Sequence, residues 1–157
     1  MARLHLTPAT TADIETLIAI ENRCFPWPWG RLSFEGELAG RGGGSLAARA
    51  TTSSGDEELI AYLFYRFIAD EVHIFRVAVS PEWRRQGIGS RLVVECLQMA
   101  RSRGVAAAVL EVRPSNTEAV ALYRNFGFQV IGTRPGYYSD SREDALILKL
   151  EMKEESL

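Results

Sequence analysis

Hydrophobic and polar positions change period several times along this chain, and each change marks an element. Leu4 to Leu6 make a short first strand. Beyond it Thr11 caps a helical pattern in which Ile14, Leu17, Ile18 and Glu21 share one face. Phe25-Pro26-Trp27-Pro28-Trp29-Gly30 cannot be regular structure, because two prolines and a glycine interrupt it. A short helix follows over Ser33 to Leu38. Gly42-Gly43-Gly44 is a breaker. After it, Ser45 to Ala50 and Leu59 to Ile68 form a hairpin joined by the polar loop Thr51 to Glu57.

Glu71 to Val79 is rich in β-branched and aromatic residues and reads as a central strand that Pro81 ends. Ile88, Leu92, Val93, Cys96, Leu97 and Ala100 define one face of a helix from Ile88 to Arg103, which Gly104 stops. Ala107 to Val112 is an apolar run broken by Glu111 and suits a buried, parallel-type strand. Ser115-Asn116-Thr117-Glu118 reads as a capping box that opens a helix through Asn125, closed by Gly127. Gln129 to Thr133 and Ala145 to Leu150 are the final strands, around a Gly136-Tyr137-Tyr138 turn region. The order implies an α/β (α+β) fold, a mixed central sheet with helices packed on it.

Composition narrows the function without naming it. A chain of 157 residues, 46% hydrophobic and 24% charged, fits one globular domain over residues 1–157. A net charge of −2 gives no reason to expect nucleic acid as partner. Cys24 and Cys96 lie in apolar surroundings with no metal-ligand spacing and read as reduced core thiols. No apolar stretch approaches the roughly 20 residues of a membrane span, and the N-terminus carries no signal-peptide segment, so the expectation is a cytoplasmic protein with no membrane partner.

The chemistry concentrates between Phe75 and Leu92. A strand ending Val77-Ala78-Val79 runs through Ser80-Pro81-Glu82-Trp83 into Arg84-Arg85-Gln86-Gly87-Ile88-Gly89-Ser90 and then a helix. Free N–H groups at a helix start, approached closely past glycines, favour an anion, and Arg84, Arg85 and Arg91 add positive potential. A P-loop is excluded because the Gly-Lys-Ser/Thr step is missing. A dinucleotide fingerprint is weakened, because Leu92 stands where its third glycine belongs, although Glu111 lies about 20 residues on. A plain strand-turn-helix link with a glycine cap remains open on spacing alone.

Arg84-x-x-Gly87-x-Gly89 after that strand resembles the acetyl-CoA pyrophosphate loop of the GNAT acetyltransferase superfamily. Leu110-Glu111-Val112-Arg113-Pro114-Ser115-Asn116, Ala121-Leu122-Tyr123, Phe126-Gly127-Phe128, Tyr137-Tyr138 with Arg142 to Ala145, and Phe25-Pro26-Trp27 together resemble the ribosomal-protein-alanine N-acetyltransferases of the RimI type. The resemblance spans nearly the whole chain. It implies a GNAT-like single domain of about seven strands and about four helices.

It also implies roles. The backbone of Val77, Ala78 and Val79 would hydrogen-bond the acetyl and pantetheine parts of acetyl-CoA, one N–H polarising the thioester carbonyl. The amides of Arg85, Gln86, Gly87, Ile88, Gly89 and Ser90 would hold the pyrophosphate, and Asn116 would also bind the cosubstrate. Glu111 matches the general base and Tyr123 the general acid. Phe25, Trp27, Tyr137 and Tyr138 sit on loops that would flank an acceptor peptide. The chain departs from the family where Pro26-Trp27-Pro28-Trp29 replaces one Pro-Trp followed by polar residues.

Each role has a structural alternative. Glu111 could be an ion pair with Arg113 or another arginine; Tyr123 could be core; Asn116 could serve the helix start; the arginines could be a solvated face; Trp27 and Trp29 could cover the sheet edge. His73, with no acid or nucleophile pattern around it in sequence, reads as structural. The function so implied is acetyl-CoA-dependent acetylation of a protein N-terminal α-amine, with a ribosomal protein as partner. The alternatives are a small-molecule amine or lysine acceptor, and a non-catalytic acetyl-CoA-binding module. No metal-binding cluster appears in the sequence.

Overall fold

The computed structural model describes residues 3–152. Seven strands and four helices follow one another as β1 (Arg3–Thr7), α1 (Ile14–Cys24), α2 (Arg31–Ala39), β2 (Gly43–Thr51), β3 (Glu57–Ile68), β4 (Glu71–Val79), α3 (Ile88–Ser102), β5 (Ala107–Val112), α4 (Thr117–Asn125), β6 (Gln129–Arg134) and β7 (Ala145–Glu151). The strands hydrogen-bond in the order β1-β2-β3-β4-β5-β7-β6. The sheet is mixed: β4 and β5 are parallel, while β5 with β7 and β6 with β7 are antiparallel. The chain divides into two compact units. One takes residues up to Arg66 and then Arg76–Cys96; the other takes Phe67–Phe75 and the chain from Leu97 onward.

In the first unit, α1 and α2 lay an apolar face on β2, β3 and the end of β4. Leu17 and Ile20 of α1 and Phe34 of α2 are buried with Ala47, Leu59, Tyr62, Phe64 and Ala78. Burying each large apolar side chain stabilises by about 1.5–3 kcal/mol, so this cluster, rather than helix propensity, holds two short helices in place. Trp29 belongs to the same core, edge-on to Phe34 and Phe64 with centroids 5.5 and 5.9 Å apart. The helical start lies one residue earlier than its sequence reading: Thr10 is the cap, its N–H bonded to Asp13 at 2.8 Å, and a single 3-10 turn precedes α1.

The glycine run is not simply a breaker. Gly43 and Gly44 are already in β2, paired with Arg66 and Tyr65 of β3. The Tyr65 ring lies across Gly44, where a Cβ would come within 2.2 Å of its hydroxyl oxygen, so only glycine fits.

In the second unit, β5 alternates: Ala108, Leu110 and Val112 are buried on one face, and Val109 and Glu111 lie on the other. Its parallel ladder with β4 runs from Glu71–Ala107 to His73–Val109. Asn116, not Ser115, caps α4: its side chain accepts the Ala119 N–H at 3.2 Å. The Ser115 hydroxyl instead donates to Glu143 at 3.0 Å. Gly127, at φ +95, closes α4 and lets Phe128 turn back onto Tyr123.

Candidate active site

The first unit carries the strand end and the loop after it. Beyond Val79 a 3-10 turn over Pro81–Trp83 leads to Arg84. Arg85 and Gly87 both have positive φ, +65 and +75, and Gln86 between them does not. Such alternation of hand turns successive N–H groups into one concavity, an anion nest. Left-handed geometry is strained for Arg85 and natural for Gly87. The α3 ladder opens with the Arg91 N–H on the Gly87 carbonyl at 3.0 Å, which leaves the amides of Ile88, Gly89 and Ser90 without helical acceptors. Arg84, Arg85 and Arg91 are exposed there. The Arg84 side chain ties back to the strand end, donating from Nε to the Val79 carbonyl at 3.2 Å and from Nη2 to Cys24 Sγ at 3.3 Å. The donor set suits a diphosphate: main-chain amides, a helix start and nearby guanidinium groups.

The second unit carries Glu111. Its side chain is only 8% exposed, and its Oε2 lies 2.5 Å from His73 Nε2. Arg134 Nε approaches Oε1 at 3.4 Å. An acid does lie beside His73, brought from the neighbouring strand by the parallel ladder. The hydrogen bond from His73 holds the Glu111 carboxyl below its ordinary range against the opposing effect of burial, and Arg134 adds to this. The ion-pair alternative for Glu111, with Arg113 or another arginine, is met by Arg134. Arg113 turns to the β6–β7 loop, bonding Asp140 at 2.7 Å and Ser141 at 2.8 Å, with its guanidinium 3.7 Å from the Tyr138 ring centroid.

The remaining site residues take different surroundings. The Tyr123 side chain is buried, its ring 5.5 Å from that of Phe128. Tyr137 is 47% exposed; partial burial first, and then the charge of Glu111, push its phenol up. Asn116 is committed through its carbonyl oxygen to the α4 cap. Phe25 lies half-buried under Arg76, whose guanidinium is 3.8 Å from the ring centroid. Trp27 is 43% exposed, so the two tryptophans differ: Trp29 is core and Trp27 is presented to solvent. Cys96 is buried, which pushes its thiol up to about 12, and Cys24 is also a free thiol.

The sequence reading takes His73 as structural and gives Glu21 and Arg76 no role beyond their helix and strand. Glu21 is fully buried on the apolar face of α1 and pairs with Arg76 of β4. The signal was present in each case, a charged or polar residue inside an apolar stripe, which burial tolerates only with a partner. Among the described residues no cluster of His, Cys, Asp and Glu could hold a metal ion, and no helix is long and apolar enough to cross a membrane.

In the first unit, a strand running into an amide-lined turn and a helix start makes a candidate anion site. The chain belongs to the acetyltransferase (GNAT) family, whose model matches residues 14–128. It is an acyltransferase, and acetyl-CoA is its donor. It is 35% identical over 142 residues to the [ribosomal protein bS18]-alanine N-acetyltransferase of Escherichia coli K12, covering 89% of this chain and 92% of that one. It is 33% identical to the putative enzyme of the same description from Bacillus subtilis, covering 90% and 91%. The crystal structure of the ribosomal-protein-S18-alanine N-acetyltransferase from Escherichia coli superimposes with a TM-score of 0.82 at 32% identity over 99% of both chains.

Proposed function

We propose that this chain transfers acetyl from acetyl-CoA to the N-terminal α-amine of a protein, a ribosomal protein beginning with alanine being the favoured acceptor. The similarity to the Escherichia coli enzyme along nearly its whole length supports that acceptor. The observation that carries the chemistry is the Glu111 carboxylate, held between His73 and Arg134.

An α-amine of pKa about 7.8 is roughly 10% neutral at pH 7, whereas a lysine near 10.4 is neutral in well under 0.1%. An α-amine acceptor therefore asks little of its base, and a carboxylate kept ionised suffices. The amine nitrogen attacks the thioester carbonyl carbon, and Glu111, directly or through one water, takes the proton that nitrogen loses. His73, on the other carboxylate oxygen, orients Glu111 and shares the incoming charge. As the C–S bond breaks, the Tyr123 hydroxyl gives its proton to the departing thiolate. Amides from Arg85 to Ser90 hold the pyrophosphate, the backbone of Val77 to Val79 holds the acetyl and pantetheine parts, and Asn116 can still offer its NH2 group. Phe25, Trp27, Tyr137 and Tyr138 contact the acceptor peptide. The enzyme works in the cytoplasm, in keeping with two free thiols.

Free-thiol release over short peptides that differ in their first residue tests the reading. Turnover is expected with a free α-amine on alanine and lost when that amine is blocked. Turnover on polyamines or internal lysines in place of α-amines would move the acceptor to the small-molecule or lysine class. Acetyl-CoA binding without turnover on any amine would leave a binding module.

A further inference from the structure

We propose that Arg76 is a positioning residue that shapes the acceptor loop, so that it governs affinity for the peptide and not for acetyl-CoA. The inference rests on the reading that Phe25 and Trp27 meet the acceptor. Glu21 is fully buried, and four donors fill its two oxygens. Arg76 Nε and the Tyr62 hydroxyl reach Oε1 at 3.0 and 2.6 Å; Arg76 Nη2 and the Trp29 N–H reach Oε2 at 2.5 and 2.7 Å. The guanidinium plane also covers the Phe25 ring at 3.8 Å, and Nη2 reaches the Trp27 carbonyl at 3.4 Å.

The loop from Phe25 to Trp29 is thus gripped at three points: the Phe25 ring, the Trp27 carbonyl and the Trp29 amide. Two prolines deprive it of two N–H groups, so no regular backbone ladder can set its shape. The Arg76–Glu21 pair does so instead, holding Trp29 in the core and leaving Trp27 exposed. Stability alone is a poor reason for such a pair, since well-packed apolar residues commonly serve a buried site as well or better. A planar, five-donor fork that stacks and hydrogen-bonds at once is what positioning needs, and a lysine cannot reproduce it.

Arg76→Lys keeps the charge and loses the fork and the plane. We expect KM for an alanine-starting peptide to rise about tenfold or more, the loss of a charge-assisted bond being of that order. The dissociation constant for acetyl-CoA, read by calorimetry, should stay within about twofold. The neutral double variant Glu21→Gln/Arg76→Gln leaves no charge stranded; it should stay folded and show the same split if the single variant does not fold. A folded variant with unchanged peptide KM overturns the inference, as does an equal loss of peptide and acetyl-CoA affinity. Wild-type protein that acetylates no peptide overturns the acceptor reading itself, and this inference with it.

Discussion

His73 and Glu111 stand thirty-eight residues apart in the chain, yet His73 Nε2 lies 2.5 Å from Glu111 Oε2. The parallel register of β4 on β5 pairs His73 with Val109, and Glu111 follows two residues on, on the same face. Glu111→Gln keeps the shape and removes the base. The turnover number is expected to fall roughly 100- to 10,000-fold, the usual worth of a positioned acid or base. Acetyl-CoA affinity should not change. Steady-state thiol release with calorimetry checks both, and an unchanged turnover number removes Glu111 from the mechanism.

The pH profile follows from the same contact. The Glu111 carboxyl is held low, first by the His73 hydrogen bond, so it stays ionised through neutrality. The acid limb of kcat/KM should then follow the acceptor amine near 7.8 rather than any enzyme carboxylate. His73→Phe keeps a ring to stack on Phe75 and removes the hydrogen bond. Burial then acts with less opposition and the carboxyl moves up. Activity should fall more at about pH 6 than at about pH 8. A loss that is the same at every pH would contradict this.

Asp13 gives a stability counterpart in the first unit. The Arg49 hydrogen bonds, at 2.9 Å to each of its oxygens, hold its carboxyl below the ordinary value. A lowered folded-state pKa contributes stability that is fully present above the unfolded value of about 3.9 and is lost as pH falls through the folded one. Asp13→Asn should therefore lower the midpoint of denaturation at neutral pH and flatten its fall in acid. Urea titrations at several pH values measure it, and an unchanged acid slope would count against the pair.

Two glycines separate packing from binding. Gly44→Ala drives a methyl into the Tyr65 ring and is expected to cost about 1–3 kcal/mol by thermal denaturation, with little effect on acetyl-CoA affinity in the folded protein. Gly87→Ala meets nothing within 4 Å but must hold φ +75. It should cost roughly 1 kcal/mol of stability and weaken acetyl-CoA binding, as the loop relaxes and its amides turn away.

Much of this was legible in the chain. β4 reads correctly end to end because a β-branched, aromatic run is bounded by Asp70 in the turn before it and Pro81 after it. The turn from Arg84 into α3 is legible because Pro81 and the two glycines break the strand pattern just before a helical one, and α3 begins at Ile88. What stayed hidden were relationships made only by pairing. Glu111 is visible as a charge in an apolar strand, but its partner depends on register, and sequence proximity pointed to Arg113 instead. Glu21 and Arg76 each interrupt an apolar stripe fifty-five residues apart, and only the fold brings them together. Gly44 shows as a breaker because nothing local announces that the Tyr65 ring will cross it.

The most direct test is the site of the acetyl group on the product. An alanine-starting peptide that also contains lysine, incubated with the protein and acetyl-CoA and then fragmented in a mass spectrometer, should carry one acetyl group on its α-nitrogen and none on lysine. Acetyl found on the lysine side chain, or no transfer at saturating acetyl-CoA, would contradict the account.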